Sequence, residues 1–220
     1  MKQARFIVLD GVDGTGKDTQ AARLVALALE RGLSALGLSY PIYDSHTGRD
    51  IGAYQQGEYG ELAFVDPHLA SYLYAVNRFE HQTRLQQALT RNDLVIAARY
   101  VPSNVAYMAA RVPNTQKVNF RAWLERLDYE ILGNPKEDAV IFLDLPIDLS
   151  NRLIAKRALG RRDINDENHQ YRESVRKEYL ALAKTQPHWH VIDCALGSKI
   201  RSIQEIATEI GALVFDRLMS

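Results

Sequence analysis

The sequence predicts an α/β fold: a five-stranded parallel sheet covered by helices on both faces. Three observations carry this. Five short apolar runs are spread along the 220-residue chain. Segments whose apolar residues recur at helical spacing separate them. A glycine-rich turn joins the first apolar run to the first helical segment. Strands buried on both faces read as near-continuous apolar runs, and parallel neighbours need a crossover between them.

The elements follow in order. Phe6–Leu9 is the first strand. Residues 17–31 form a helix with Ala21, Leu24, Val25, Ala28 and Leu29 on one face, and Gly32 ends it. A second strand covers about 33–40 and stops at Pro41. Residues 42–65 are rich in Tyr, Gly and charge, with one short helix near 47–56. A long helix spans about 66–90, with Asp66 as cap and Pro67 in its first turn. Asp93–Ala98 is the third strand. Helices follow near 101–111 and 115–132, and Gly133-Asn-Pro135 breaks the chain. Asp138–Asp144 is the fourth strand, and Pro146 opens a helix to about Arg157. The basic segment Lys156-Arg-Ala-Leu-Gly-Arg-Arg162 leads into a helix of about 166–184. His188–Asp193 is the fifth strand, and an amphipathic helix of about 198–217 follows. Right-handed crossovers put the loops after the strands on one edge, where open α/β sheets bind ligands. That edge gathers residues 10–17, 40–44, 98–104 and the loop after Asp144. Without internal repeats or linkers, residues 1–220 read as one domain.

The segment between the first strand and first helix is Asp10-Gly-Val-Asp-Gly-Thr-Gly-Lys-Asp-Thr-Gln20. Strand, glycine turn and lysine-headed helix form a phosphate-binding loop, which makes the expected fold a three-layer P-loop NTPase fold. Backbone N–H groups and the helix N-terminus favour anions, and the lysine reaches the terminal phosphates. Gly11, Gly16 and Lys17 match the pattern G-x-x-x-x-G-K-[ST]. Asp18 stands where a magnesium-binding hydroxyl is usual. ATP and Mg2+ are thus the expected ligands, with Gly11, Val12, Asp13, Gly14, Thr15, Gly16, Lys17, Asp18 and Thr19 as the donor loop.

Composition narrows the class. Lys+Arg and Asp+Glu each total 27, so no basic surface for nucleic acid or membrane is expected. No apolar run approaches the roughly 18–20 residues of a membrane span, and the first residues lack the apolar core of a signal peptide. One cysteine, Cys194, fits a reducing compartment and reads as a buried thiol. The expected location is the cytoplasm. The six histidines show no zinc spacing.

Three further segments add a second site: Tyr40-Pro-Ile-Tyr-Asp-Ser-His-Thr-Gly-Arg-Asp-Ile51, Leu73-Tyr-Ala-Val-Asn-Arg78 and Arg99-Tyr-Val-Pro-Ser-Asn-Val-Ala-Tyr107. Together with the glycine loop, and in this order, they resemble the thymidylate (dTMP) kinase family over nearly the whole chain. The resemblance implies transfer of the ATP γ-phosphoryl to dTMP, homodimers, and a small lid at about 156–166. It implies that Lys17 holds the donor phosphates and Arg99 the acceptor phosphate, for which a guanidinium fork is well shaped. It implies that Asp13 accepts from the sugar 3′-hydroxyl, Tyr43 lines the sugar, and Tyr74 stacks on the base. Arg78 would bond O4, Asn104 the pyrimidine edge, and Tyr107 would fill the space of a 2′-hydroxyl. One group of relatives carries an arginine in the phosphate loop. Here Gly14-Thr15 stand there, so a lid arginine must supply that charge, as an arginine finger does; Arg157 and Arg161 rank above Arg162.

The sequence also departs from the family. The usual aspartate before Arg99 is Ala98. Asn77 replaces a common aspartate, and Ile42 stands where relatives often carry arginine. Three readings of Asp18 stay open: a neutral surface change, a carboxylate that binds Mg2+, or a charge that repels phosphate. Two other functions also stay open. One is a kinase for another deoxynucleoside monophosphate or a nucleoside. The other is a nucleotide-binding homologue with weak catalysis. An Asn-Lys-x-Asp base-reading motif is absent, which argues against a GTPase.

Overall fold

The structure, a computed structural model, describes residues 4–61, 64–157 and 169–219, with the side chains of 156 and 157 outside that description. Strands β1 (Arg5–Asp10), β2 (Ala35–Ser39), β3 (Leu94–Ala98), β4 (Ala139–Asp144) and β5 (Trp189–Asp193) form one parallel sheet in the order β2-β3-β1-β4-β5. Alternate residues of the strands feed two cores. Phe6, Val8, Val95, Ala97, Val140 and Phe142 face one side. Ile7, Leu9, Leu94, Ile96, Ile141 and Leu143 face the other. This two-sided burial is why the strands read as unbroken apolar runs.

Helix α1 (Lys17–Glu30) follows β1 directly, and α9 (Ile203–Leu213) packs beside it: Gln20 Nε2 donates to the Ile203 carbonyl at 3.0 Å. The opposite face carries α3 (Pro67–Glu80), α4 (Gln82–Arg91), α5 (Val101–Ala109) and α8 (His169–Thr185). Helices α2 (His46–Gln55), α6 (Lys117–Arg126) and α7 (Ile147–Arg157) complete the layers. Asp66 caps α3, its carboxylate accepting from the His68 N–H at 2.8 Å.

Three expected elements differ. The long helix of 66–90 is two helices, α3 and α4, with the break at His81 (φ −104°, ψ 10°). Neither glycine nor proline marks that break. The helix expected over 115–132 ends as a π-helical turn, Leu127–Ile131, after α6. The last helix starts at Ile203 rather than near 198. Residues 195–200 instead form a small hairpin, β6 (Ala195–Leu196) with β7 (Lys199–Ile200). Gly197-Ser198 makes its two-residue turn, with Gly197 at φ +60°.

Candidate active site

The carboxyl ends of β1 and β3 lie side by side, Leu9 opposite Ala98, and Ser39 of β2 is paired to Ala98 from the other side. Between β1 and α1 the glycine loop turns tightly. Gly11 has φ +154°, and a Cβ there would lie 2.9 Å from the Leu143 carbonyl. Thr15 closes the turn, its N–H and hydroxyl both donating to the Val12 carbonyl. Lys17, almost fully buried, heads α1.

Asp13 is the meeting point of the site. Its Oδ1 accepts from Lys17 Nζ at 3.5 Å and from Arg99 Nη2. Its Oδ2 accepts from the Tyr107 hydroxyl at 2.7 Å. Burial alone would raise its pKa, but the charges of Arg99 and Lys17 hold the carboxyl well below the usual range. Burial and the nearby Arg99 charge lower the Lys17 pKa against the pull of Asp13. Arg99 has φ +62°, a left-handed conformation that costs a non-glycine residue about 1–2 kcal/mol. Its N–H is tied to the Leu9 carbonyl at 3.0 Å, and its Nη1 donates to Ser103 Oγ at 3.2 Å. The strained backbone accompanies a guanidinium that reaches across to the loop.

Beneath the loop lies Asp10, fully buried. Its Oδ1 accepts from the Gly11 N–H, Ser103 Oγ and the Tyr179 hydroxyl, while Oδ2 has no partner among the described residues. Burial raises its pKa. Tyr179, stacked on Phe142, and Tyr171, whose hydroxyl donates to the Tyr107 carbonyl at 2.8 Å, brace the site from α8.

A cleft opens beside the loop. Asp13, Tyr43, Tyr74, Arg78, Arg99, Asn104 and Tyr107 all line it, so the seven residues expected to hold the acceptor meet in one place. Two of them are set up for polar recognition. Asn104 donates through Nδ2 to the Ser71 carbonyl at 3.1 Å, which fixes its amide and leaves Oδ1 buried without a partner among the described residues. Arg78 is held bidentately by buried Asp128, through Nε at 2.8 Å and Nη2 at 2.7 Å. Its remaining Nη1 has no hydrogen-bond partner among the described residues. Tyr74 packs edge-on against Tyr54 and accepts from Gln55 Nε2 at 3.3 Å. Tyr43 is half exposed, its hydroxyl donating to Gln55 Oε1 at 2.9 Å. Asp18 is exposed in the first turn of α1, its Oδ1 accepting from Ser39 Oγ at 3.5 Å.

The lid expected at about 156–166 falls almost entirely on undescribed residues. Arg161 lies outside the described residues, and so does the side chain of Arg157 at the end of α7. Three supporting residues escaped the sequence reading: Asp128, Tyr171 and Tyr179. The last two share the inward stripe of α8 with Val175, a spacing visible in the sequence. Asp128 pairs with Arg78 from 50 positions away, and no local pattern signals that.

The model of the family described as thymidylate kinase matches residues 9–207. The chain belongs to the thymidylate kinase family. It is 33% identical to a thymidylate kinase from Mycobacterium tuberculosis over 183 residues, covering 81% of this chain and 85% of that one. It is 31% identical over 220 residues to a probable thymidylate kinase from Pyrococcus horikoshii, covering 97% of each. Among solved structures, thymidylate kinase from Candida albicans superposes with a TM-score of 0.78 at 22% identity, covering 99% of this chain and 93% of that one. That likeness carries the fold.

Proposed function

We propose that this chain is an ATP-dependent dTMP kinase, moving the γ-phosphoryl of ATP to the phosphate of dTMP to give dTDP and ADP for dTTP synthesis. The observation that carries the reading is Asp13, which belongs to the phosphate loop and also lines the cleft. It thereby joins a donor site to an acceptor site. Phosphoryl transfer asks a protein mainly for positioning and charge neutralisation. Lys17 and Arg99 converge on one carboxylate, and incoming phosphates would take over part of their charge. Arg99 then grips the acceptor phosphate, Lys17 the donor, and Arg157 or Arg161 of the lid adds a further cation.

The cleft's polar groups favour a thymine ring. Thymine offers an N3–H donor and an O4 acceptor. Asn104 Oδ1 is an acceptor with no partner among the described residues, and Arg78 is a pure donor. Cytosine presents the opposite pair, an N3 acceptor and an N4 donor. The hydroxyl of Tyr107, bonded to Asp13, takes the space beside the sugar and favours a deoxyribose. Mg2+ fits Asp18 and Ser39: it takes one or two protein oxygens, with phosphates and water filling the rest of its shell. Once bound it supplies further neutralisation of phosphate charge. We place the enzyme in the cytoplasm as a single-domain homodimer.

The test is a coupled ADP-release assay with ATP and Mg2+, offering dTMP, dUMP, dCMP, UMP and thymidine in turn. The expected result is transfer to dTMP with a kcat/KM at least about a hundredfold above dCMP, because a mismatched ring leaves buried polar groups unpaired. ATP binding without transfer to any acceptor would overturn the proposal in favour of a nucleotide-binding protein. Lys17→Ala and Arg99→Ala should each lower kcat by about a hundredfold or more with the fold intact by circular dichroism. Near wild-type turnover in either would remove that residue from the charge scheme.

A further inference from the structure

Arg172 has no part in the scheme above. It sits in the first turn of α8 at 1% exposure. Its Nη2 donates to the main-chain carbonyl of Asp13 at 2.7 Å and to Ser150 Oγ at 2.8 Å. Its Nη1 donates to Asn151 Oδ1 of α7, and its Nε is buried without a partner among the described residues. Among the described residues it forms no ion pair with a carboxylate. Burying a guanidinium without a carboxylate is costly, so its placement calls for a physical reason.

The reason lies in the peptide that it holds. In a trans peptide the C=O and N–H point in opposite directions, and the only cis bond among the described residues is Tyr40–Pro41. The peptide whose carbonyl belongs to Asp13 carries the N–H of Gly14. With that carbonyl held by Arg172, the Gly14 N–H is turned to the opposite side of the loop. It has no backbone partner among the described residues. Gly14 has φ +81°, and a Cβ there would come 2.8 Å from the Ser150 carbonyl and 2.9 Å from Ile154 Cγ1. The loop is therefore pressed against α7, the helix that Arg172 also grips. A charge-assisted bond to a carbonyl polarises its peptide and makes the N–H at the far end a stronger donor.

We propose that Arg172 is a positioning residue for phosphoryl transfer: it orients and polarises the Asp13–Gly14 peptide so that the Gly14 N–H donates to a phosphate oxygen of the donor nucleotide. This rests on the reading of the loop as the donor site, and it does not depend on which acceptor is used. Arg172 reaches the phosphate only through the peptide.

The test follows the Gly14 amide by 1H–15N NMR in the full chain titrated with ADP, for the wild type, Arg172→Lys and Arg172→Gln. In the wild type, ADP should move the amides of Gly14, Thr15 and Lys17 together. In Arg172→Gln the Gly14 displacement should be lost while Thr15 and Lys17 still respond, and Arg172→Lys should fall between. The kinetic counterpart is a fall of about tenfold in kcat/KM for ATP in Arg172→Gln, partly restored in Arg172→Lys, with KM for dTMP unchanged. An unchanged Gly14 response in Arg172→Gln, with Thr15 and Lys17 also responding, would overturn the role of Arg172 alone. So would wild-type kcat/KM for ATP. If the glutamine variant fails to fold, the lysine variant is judged by the same two readouts. Absence of any ADP response across the wild-type loop would overturn the donor-site reading and this proposal with it.

Discussion

Asp18 and Glu137 show how single side chains set the conditions under which this enzyme works. Asp18 stands at a loop position where a hydroxyl is usual, and Ala98, fully buried at the end of β3, offers no carboxylate of its own. If Asp18 is the acidic group that the metal uses, Asp18→Ser should shift the Mg2+ dependence of the rate to higher concentration by about tenfold. An unchanged Mg2+ titration would leave Asp18 as a surface residue. Glu137 is buried just before β4. Burial pushes its carboxyl up to about 7, although the Tyr129 hydroxyl donates to both of its oxygens at 2.9 Å and favours the ionised form. The folded pKa is above the ordinary 4.5 of a glutamate. Between these values the folded state keeps a proton that the unfolded chain releases. Glu137 is therefore least unfavourable below about pH 4.5, and stability is lost as the pH rises through about 7. The loss is about 3 kcal/mol in all. In urea titrations the stability of the wild type relative to Glu137→Gln should fall by about that amount between about pH 4.5 and pH 8. A difference that stays constant with pH would mean that Glu137 ionises as an ordinary glutamate.

At the level of elements, α3 shows why a residue that looks like a departure need not be a defect. Asn77 uses both ends of its amide on the segment after β2. Oδ1 accepts from the Ile42 N–H at 2.9 Å, and Nδ2 donates to the Ile42 carbonyl at 3.0 Å and to Thr47 Oγ1 at 2.9 Å. An aspartate here would keep the first bond and set a negative oxygen against a carbonyl. Asn77→Asp should therefore cost about 1–3 kcal/mol in chemical denaturation. It should also raise KM for dTMP, because the segment that it ties down carries Tyr43. A variant as stable as the wild type would mean that the segment has another anchor. The same helix marks the limit of what the sequence discloses. The five strands were legible because two-sided burial leaves apolar runs, and the glycine loop because its glycines and lysine lie in one short stretch. Six of the seven cleft residues were readable in three ordered segments, and the seventh, Asp13, in the glycine loop. The break at His81 was not, since it involves no glycine or proline. Nor were the bonds of Arg78 with Asp128 and of Arg172 with the Asp13 carbonyl, which join residues far apart in sequence. The β6–β7 hairpin did leave a signal, Gly197-Ser198 between short apolar stretches. The helical pattern that follows obscured it.

At the scale of the molecule, an apolar stripe on α3 stands exposed among the described residues. Leu69, Tyr72, Val76 and Phe79 of α3 are 64%, 43%, 37% and 49% exposed. Their steps of three, four and three residues trace a single helix face, the spacing of a helix–helix seam. His68 and Tyr72 extend the stripe onto Trp123 of α6, with ring centroids 4.7 and 5.6 Å away. A second copy of this chain suits the stripe, because a two-fold interface sets the same patch against itself and every apolar side chain finds an equivalent partner. The inner side of α3 carries Tyr74, Asn77 and Arg78 in or beside the cleft. Covering the outer side would then stiffen a helix that lines the cleft, so assembly and acceptor binding should be linked. The double variant Val76→Arg, Phe79→Asp places charges in the middle of the seam. Light scattering on a sizing column should give a dimer for the wild type and a monomer for the variant. The variant's KM for dTMP should rise by about tenfold, while the affinity for ADP, read at the far side of the loop, stays the same. A wild-type monomer at tens of micromolar protein, or a monomeric variant with unaltered KM, would break the link between this face and the cleft.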